Sequence, residues 1–165
     1  ANGRLEWHQV IENRDGRPMP FSTGFHPYLR VPLVPGNERN RCFIRLPSCT
    51  RYHAAPKAAS FTKESFGARD LSLGVDFSEA WFLGDLAKRQ VALVDPTAGL
   101  EVLVNFEENP AYRFLALWSR TAEDPFYCVE PWTALPNSFG RADDDLGLLP
   151  PEGRFEARLW MDVRE

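Results

Sequence analysis

Long apolar runs, helical periodicity and a surplus of charge of one sign are all missing from this sequence. No stretch of about 18 apolar residues occurs, so no membrane-spanning helix is expected. Net charge is −4, with 19 basic residues interspersed among 23 acidic ones. That distribution lacks the basic stripe of a nucleic-acid or membrane-surface partner, and neither is expected. The opening "ANGRLEW" has neither the basic start nor the apolar core of a signal peptide. Cysteine is scarce. Cys42, Cys49 and Cys128 are odd in number and lack metal-type spacing, which reads as free thiols in a reducing, cytoplasmic setting. A Cys42–Cys49 bridge would need a loop to bring the two together.

Proline is plentiful, with 14 residues in a chain of 165, and it disfavours long helices. What remains is alternation. "RLEWHQVIEN" sets Leu5, Trp7 and Ile11 against Glu6, His8 and Glu12. "RFEARLWMDV" sets Phe155, Ala157, Leu159, Met161 and Val163 against charged residues. A period of two predicts half-buried antiparallel strands. "QVALVD", "LEVLVNF", "RFLALWSR" and "FYCVEPW" are further strand candidates. The segments 90–95 and 100–106 around "PTAG" predict a hairpin. Residues 57–70 predict a short turn of helix, and roughly 32–60 and 133–150 read as long connections. The expected architecture is one all-β domain over 1–165, an antiparallel sandwich or barrel.

Three stretches carry candidate chemistry: "GFHPYLR", "YCVEPWTALPNSFG" and "GVDFSEAWFLGDL". Glu130 follows the apolar run Phe126–Val129 and precedes Pro131 and Trp132. A carboxylate in such company is desolvated and its pKa rises, as a general base requires. Pro131 cannot donate to a ladder, so the strand is expected to end there and free the carboxylate toward a cleft. An ion-paired glutamate at a strand end fits equally well. His26 precedes Pro27, which favours extended backbone. It is either a proton-transfer group or a hydrogen-bonded structural residue. His8 on a polar strand face and His53 in a loop read as structural.

The run "VIENRDGRPMPFSTGFHPYLRVP", followed by "FYCVEPWTALPNSFG", resembles the aldose 1-epimerase (galactose mutarotase-like) superfamily. The likeness lies in a "GxHPYF"-like histidine motif and a "CxEPxT"-like glutamate motif in the same order. It implies a β-sandwich that interconverts the α and β anomers of a hexose or hexose phosphate. His26 would be the general acid at the ring oxygen, and Glu130 the general base at the anomeric hydroxyl. Asp76 or Glu79 would bind sugar hydroxyls, Trp132 and Trp81 could stack on the sugar, and Arg30 could reach a substrate anion. No metal and no redox cofactor is implied. The chemistry calls for two proton-transfer groups on opposite sides of one acetal carbon, with room for a pyranose between them and both open to solvent.

The histidine motif falls earlier here than in the family's domain. The chain is therefore expected to correspond to the C-terminal part of that domain, with association with a missing N-terminal segment or a second chain as one consequence. The partner class is a small-molecule sugar or sugar phosphate. A carbohydrate-binding or regulatory module without turnover is the alternative on the same scaffold.

Overall fold

Alternating residues make two-faced strands, and two such sheets can bury their apolar faces only against each other. That is the arrangement in the computed structural model, which describes residues 3–54, 60–75, 79–140 and 146–165. Strands are numbered in chain order. One sheet runs β1 (Arg4–Glu12), β14 (Arg154–Arg164), β10 (Leu100–Asn105), β9 (Gln90–Asp95), β4 (Phe43–Leu46), β7 (Arg69–Ser72). The second runs β3 (Tyr28–Arg30), β12 (Phe126–Trp132), β11 (Phe114–Trp118), β8 (Trp81–Gly84), β5 (Cys49–Ala54), β6 (Phe61–Phe66). A two-stranded ribbon joins β2 (Met19–Phe21) to β13 (Gly147–Leu149). All these pairings are antiparallel.

The core lies between the two large sheets. Ile44, Leu93, Val104 and Leu159 from one meet Leu83, Leu115, Tyr127 and Val129 from the other. In β14 the alternation is realised as read: Ala157, Leu159 and Met161 are buried. In β1 it is weaker, and Leu5 is 52% exposed, because β1 is an edge strand with β14 on one side. The expected hairpin is present as β9 and β10, with Gly99 at φ +67 closing the turn and Asp95 accepting the Ala98 amide. Among the described residues no helix is long and apolar enough to cross a membrane.

Four expectations are corrected. The helical turn over 57–70 is instead β6 and β7, with residues 57–59 outside the described ones. In β6 the exposed Thr62, Lys63, Glu64 and Ser65 are the polar dressing of a sheet edge rather than a helix face. The connection 32–60 contains β4 and β5, short strands hidden by flanking prolines, and 133–150 contains β13. His53 therefore sits on β5, not in a loop, ion-paired with Glu64 at 2.9 Å. The strand ending expected at Pro131 does not occur, and β12 continues to Trp132. Pro131 is tolerated because its carbonyl accepts from Phe25 at the edge where the ladder beside His26 and Pro27 is interrupted.

That edge positions His26 against Glu130. Gly24 pairs with Trp132, and Tyr28 pairs with Cys128. The two pairings share one register, so His26 stands across from Glu130. Gly24 is the tight point: a Cβ there would lie 2.5 Å from Trp132 Cδ1 and 2.8 Å from the Pro131 carbonyl. Gly24→Ala is therefore expected to lower unfolding free energy by roughly 1–3 kcal/mol through overpacking. Urea denaturation measures this, and an unchanged midpoint would contradict the close approach.

Candidate active site

Residues of β12 divide by parity. Tyr127 and Val129 enter the core, while Cys128, Glu130 and Trp132 occupy the opposite face. On that outer face Glu130 has Ala116 of β11 as one cross-strand neighbour and His26 on the other side. The small Ala116 side chain leaves the carboxylate room beside the flanking strand.

His26 Nε2 and Glu130 Oε1 are 3.3 Å apart. The imidazole is 48% exposed and the carboxylate side chain 3%. Its ring is held by stacking on Tyr28 at 5.0 Å and by an edge contact to Trp118 at 6.1 Å. Desolvation pushes Glu130 up to about 7, while a hydrogen bond from Trp132 pulls it the other way. Both differ from the sequence expectation of a pyranose-wide gap with both groups open to solvent. The shared register brings the pair into contact, and packing between β11 and the 23–28 segment seals the carboxylate behind the ring.

His26 stands at a cavity of about 510 Å³ whose wall also includes Ser22, Thr23, Trp132, Asn137 and Phe139, with Glu130 behind the imidazole rather than on the wall. Two segments build the wall. Thr23 donates its amide to Thr133 Oγ1 at 2.9 Å, and the Thr133 hydroxyl donates back to the Thr23 carbonyl at 3.0 Å. The Thr23 hydroxyl bonds Gln9 of β1, which also accepts from the buried Tyr112 hydroxyl. The wall is thereby anchored to the opposite sheet.

The remaining candidates scatter. Trp132 is half-buried, lines the cavity and packs 5.7 Å from Phe82, so it is both wall and support. Trp81 packs on the core and the Phe66 ring with Arg51 stacked over it at 3.6 Å, away from the cavity wall. Arg30 sits exposed on β3 opposite Phe126, and Glu79 is exposed before β8 within the electrostatic reach of Arg51. Neither lines the cavity. Asp76 lies outside the described residues.

One feature escaped the sequence reading. Cys128 Sγ, the His26 ring and the Glu130 carboxylate offer three ligand atoms within 4.8 Å of one another. The i, i+2 spacing of Cys128 and Glu130 was the available signal. Burial pushes the Cys128 thiol up to about 12, which opposes the thiolate a metal would need. All three cysteines are free and buried, so Cys42 and Cys49 are not bridged.

No family model matches the chain. In sequence it is similar to the plasmid-encoded protein LacX of Lactococcus lactis subsp. lactis, 30% identical over 140 residues, covering 79% of this chain and 46% of LacX. Among solved structures it resembles a galactose mutarotase-like protein from Clostridium acetobutylicum, with TM-score 0.81, 16% identity, and coverage of 97% of this chain and 52% of that one. It also resembles a galactose mutarotase related enzyme from Lactobacillus acidophilus, with TM-score 0.76, 21% identity, and coverage of 98% and 58%. The chain spans about half the length of these relatives. Its two facing antiparallel sheets are the galactose mutarotase-like β-sandwich fold.

Proposed function

We propose that this chain carries the acid–base pair of an aldose 1-epimerase-like isomerase acting on a hexose or hexose phosphate. The observation that carries the reading is the contact between the His26 imidazole, which lines a cavity of about 510 Å³, and the buried Glu130 carboxylate behind it. Glu130, with a pKa near 7, can take and return a proton at neutral pH. It removes the anomeric hydroxyl proton while His26 protonates the ring oxygen, and the C1–O5 bond opens. The aldehyde rotates about C1–C2. Closure on the other face returns both protons with the roles reversed. In the resting pair the imidazole covers the carboxylate at 3.3 Å, so a hemiacetal reaches Glu130 by taking the place of the imidazole. The three free cysteines support a reducing, cytoplasmic setting.

A second reading, sugar binding without turnover, is favoured by the sealing of Glu130, which is 2% exposed. Rate measurements separate the two. His26→Asn and Glu130→Gln should each slow anomerisation by about 10²–10⁴-fold, the usual share of a positioned acid or base. Polarimetry of a freshly dissolved hexose follows this; near-normal rates in both variants would leave the binding reading.

Glu130 also sets a pH dependence of stability. Its folded pKa lies above its ordinary value of 4.5, so the folded state holds the proton more tightly than the unfolded state. The resulting stabilisation is present below about 4.5 and is lost as pH rises through about 7. Glu130→Gln should thus be more stable than the parent at pH 8, by at most on the order of 3 kcal/mol. The difference should shrink toward pH 4. Denaturation midpoints of both proteins across that range test it, and a parallel offset at every pH would refute the titration.

A further inference from the structure

We propose that the cavity is a site for a neutral saccharide longer than one ring, with Phe139 as the platform for the second ring. The inference rests on the reading that His26 and Glu130 address the anomeric end, and it narrows the substrate class. Charge comes first. Of the described residues lining the cavity only His26 is ionisable, and neither lysine nor arginine is among them. Among the described residues, the arginines that follow the histidine motif in sequence are engaged or placed elsewhere, and Arg141, which follows Gly140, lies outside the described residues. Arg39 donates to the carbonyls of Leu73, Asp124 and Phe126 and to the Ser119 hydroxyl. Arg41 pairs with Glu38, Arg45 with Asp70 and Glu101, and Arg51 covers Trp81. A phosphate asks for guanidinium, ammonium or converging amides. The wall instead offers the neutral Ser22, Thr23 and Asn137, groups suited to sugar hydroxyls.

Size and apolarity come second. A cavity of about 510 Å³ falls in the range, about 300–1,000 Å³, that encloses ligands larger than a single pyranose. Phe139 lines it and is 64% exposed, among the most exposed large apolar side chains described. It is not on a loose tip. It belongs to the 3-10 turn Ser138–Gly140, with Ser138 buried, Gly140 donating to the Asn137 carbonyl at 2.9 Å, and Asn137 fixed at φ +61. An aromatic ring held out toward water at a cavity rim suits the apolar C–H face of a sugar. His26 and Phe139 line the same cavity, so a saccharide with its reducing end at the acid–base pair has its next ring to place against Phe139.

Calorimetric titration with glucose, glucose 6-phosphate and maltose tests this, with anomerisation followed in parallel. Maltose should bind about 3- to 10-fold more tightly than glucose, the range of one aromatic contact. The phosphate should give no gain over glucose. Phe139→Ala should erase the maltose advantage over glucose, with the circular dichroism spectrum as the check on folding. Equal affinities for glucose and maltose, preference for the phosphate, or absence of binding by all three overturns the proposal. Binding in the expected order without accelerated anomerisation would count against the epimerase reading and in favour of the saccharide subsite.

Discussion

The site depends on one constraint, the register between the 23–30 segment and β12. Bridges at Gly24–Trp132 and Tyr28–Cys128 bracket an interruption at His26–Pro27 without shifting the pairing. Within that interruption the imidazole leans across to Glu130 instead of completing a ladder. Two prolines make this possible. Neither Pro27 nor Pro131 has an amide hydrogen, so a short unpaired stretch of sheet edge leaves fewer donors without partners. A contact between residues far apart in sequence is in this sense a local property of two neighbouring strands.

Burial then gives the pair its chemistry. Glu130 is buried without a lysine or arginine partner among the described residues, and desolvation raises its pKa to about 7. Other buried acids here are treated differently. Asp95 accepts from the amides of Leu33 and Ala98 and from Asn37, and stays below its ordinary range. Asp124 is held by Arg120 and the Thr121 amide, again lowered. Asp95 and Asp124 are surrounded by donors; Glu130 meets an imidazole and an indole. The contrast is physical and independent of any likeness to other proteins.

Much of the sandwich was legible because half-buried strands write alternation into sequence, as in β14 and in the β9–β10 hairpin. The failures share a cause. β4, β5 and β6 are short, flanked by proline or carry mostly polar residues, and their partners are supplied by tertiary pairing rather than local pattern. At the site, the identities of His26 and Glu130 could be read, but their separation could not, since register depends on which strands become neighbours. Arg30 followed the histidine motif closely in sequence, yet four residues along a strand is a long way in space. Phe139 carried no sequence signal, because only the turn around it shows that it faces a cavity.

Placing such a pair on a sheet rather than on loops has a consequence for how a ligand is met. Tyr127 and Val129 lock β12 into the core between each outward residue, so Cys128, Glu130 and Trp132 cannot shift independently. His26 is held differently, by stacking on Tyr28 and an edge contact with Trp118, both on the solvent-facing side. Under the proposed epimerase reading, the half-exposed ring is therefore the partner that would yield to a sugar, and the carboxylate would stay where the sheet fixes it. On that proposal, a fixed base with a movable acid would suit a reaction in which one oxygen leaves the anomeric carbon and returns to its other face. The same anchoring ties the opposite wall through Thr133, Thr23 and Gln9 to the far sheet, which leaves the His26 ring as the compliant element between two rigid ones.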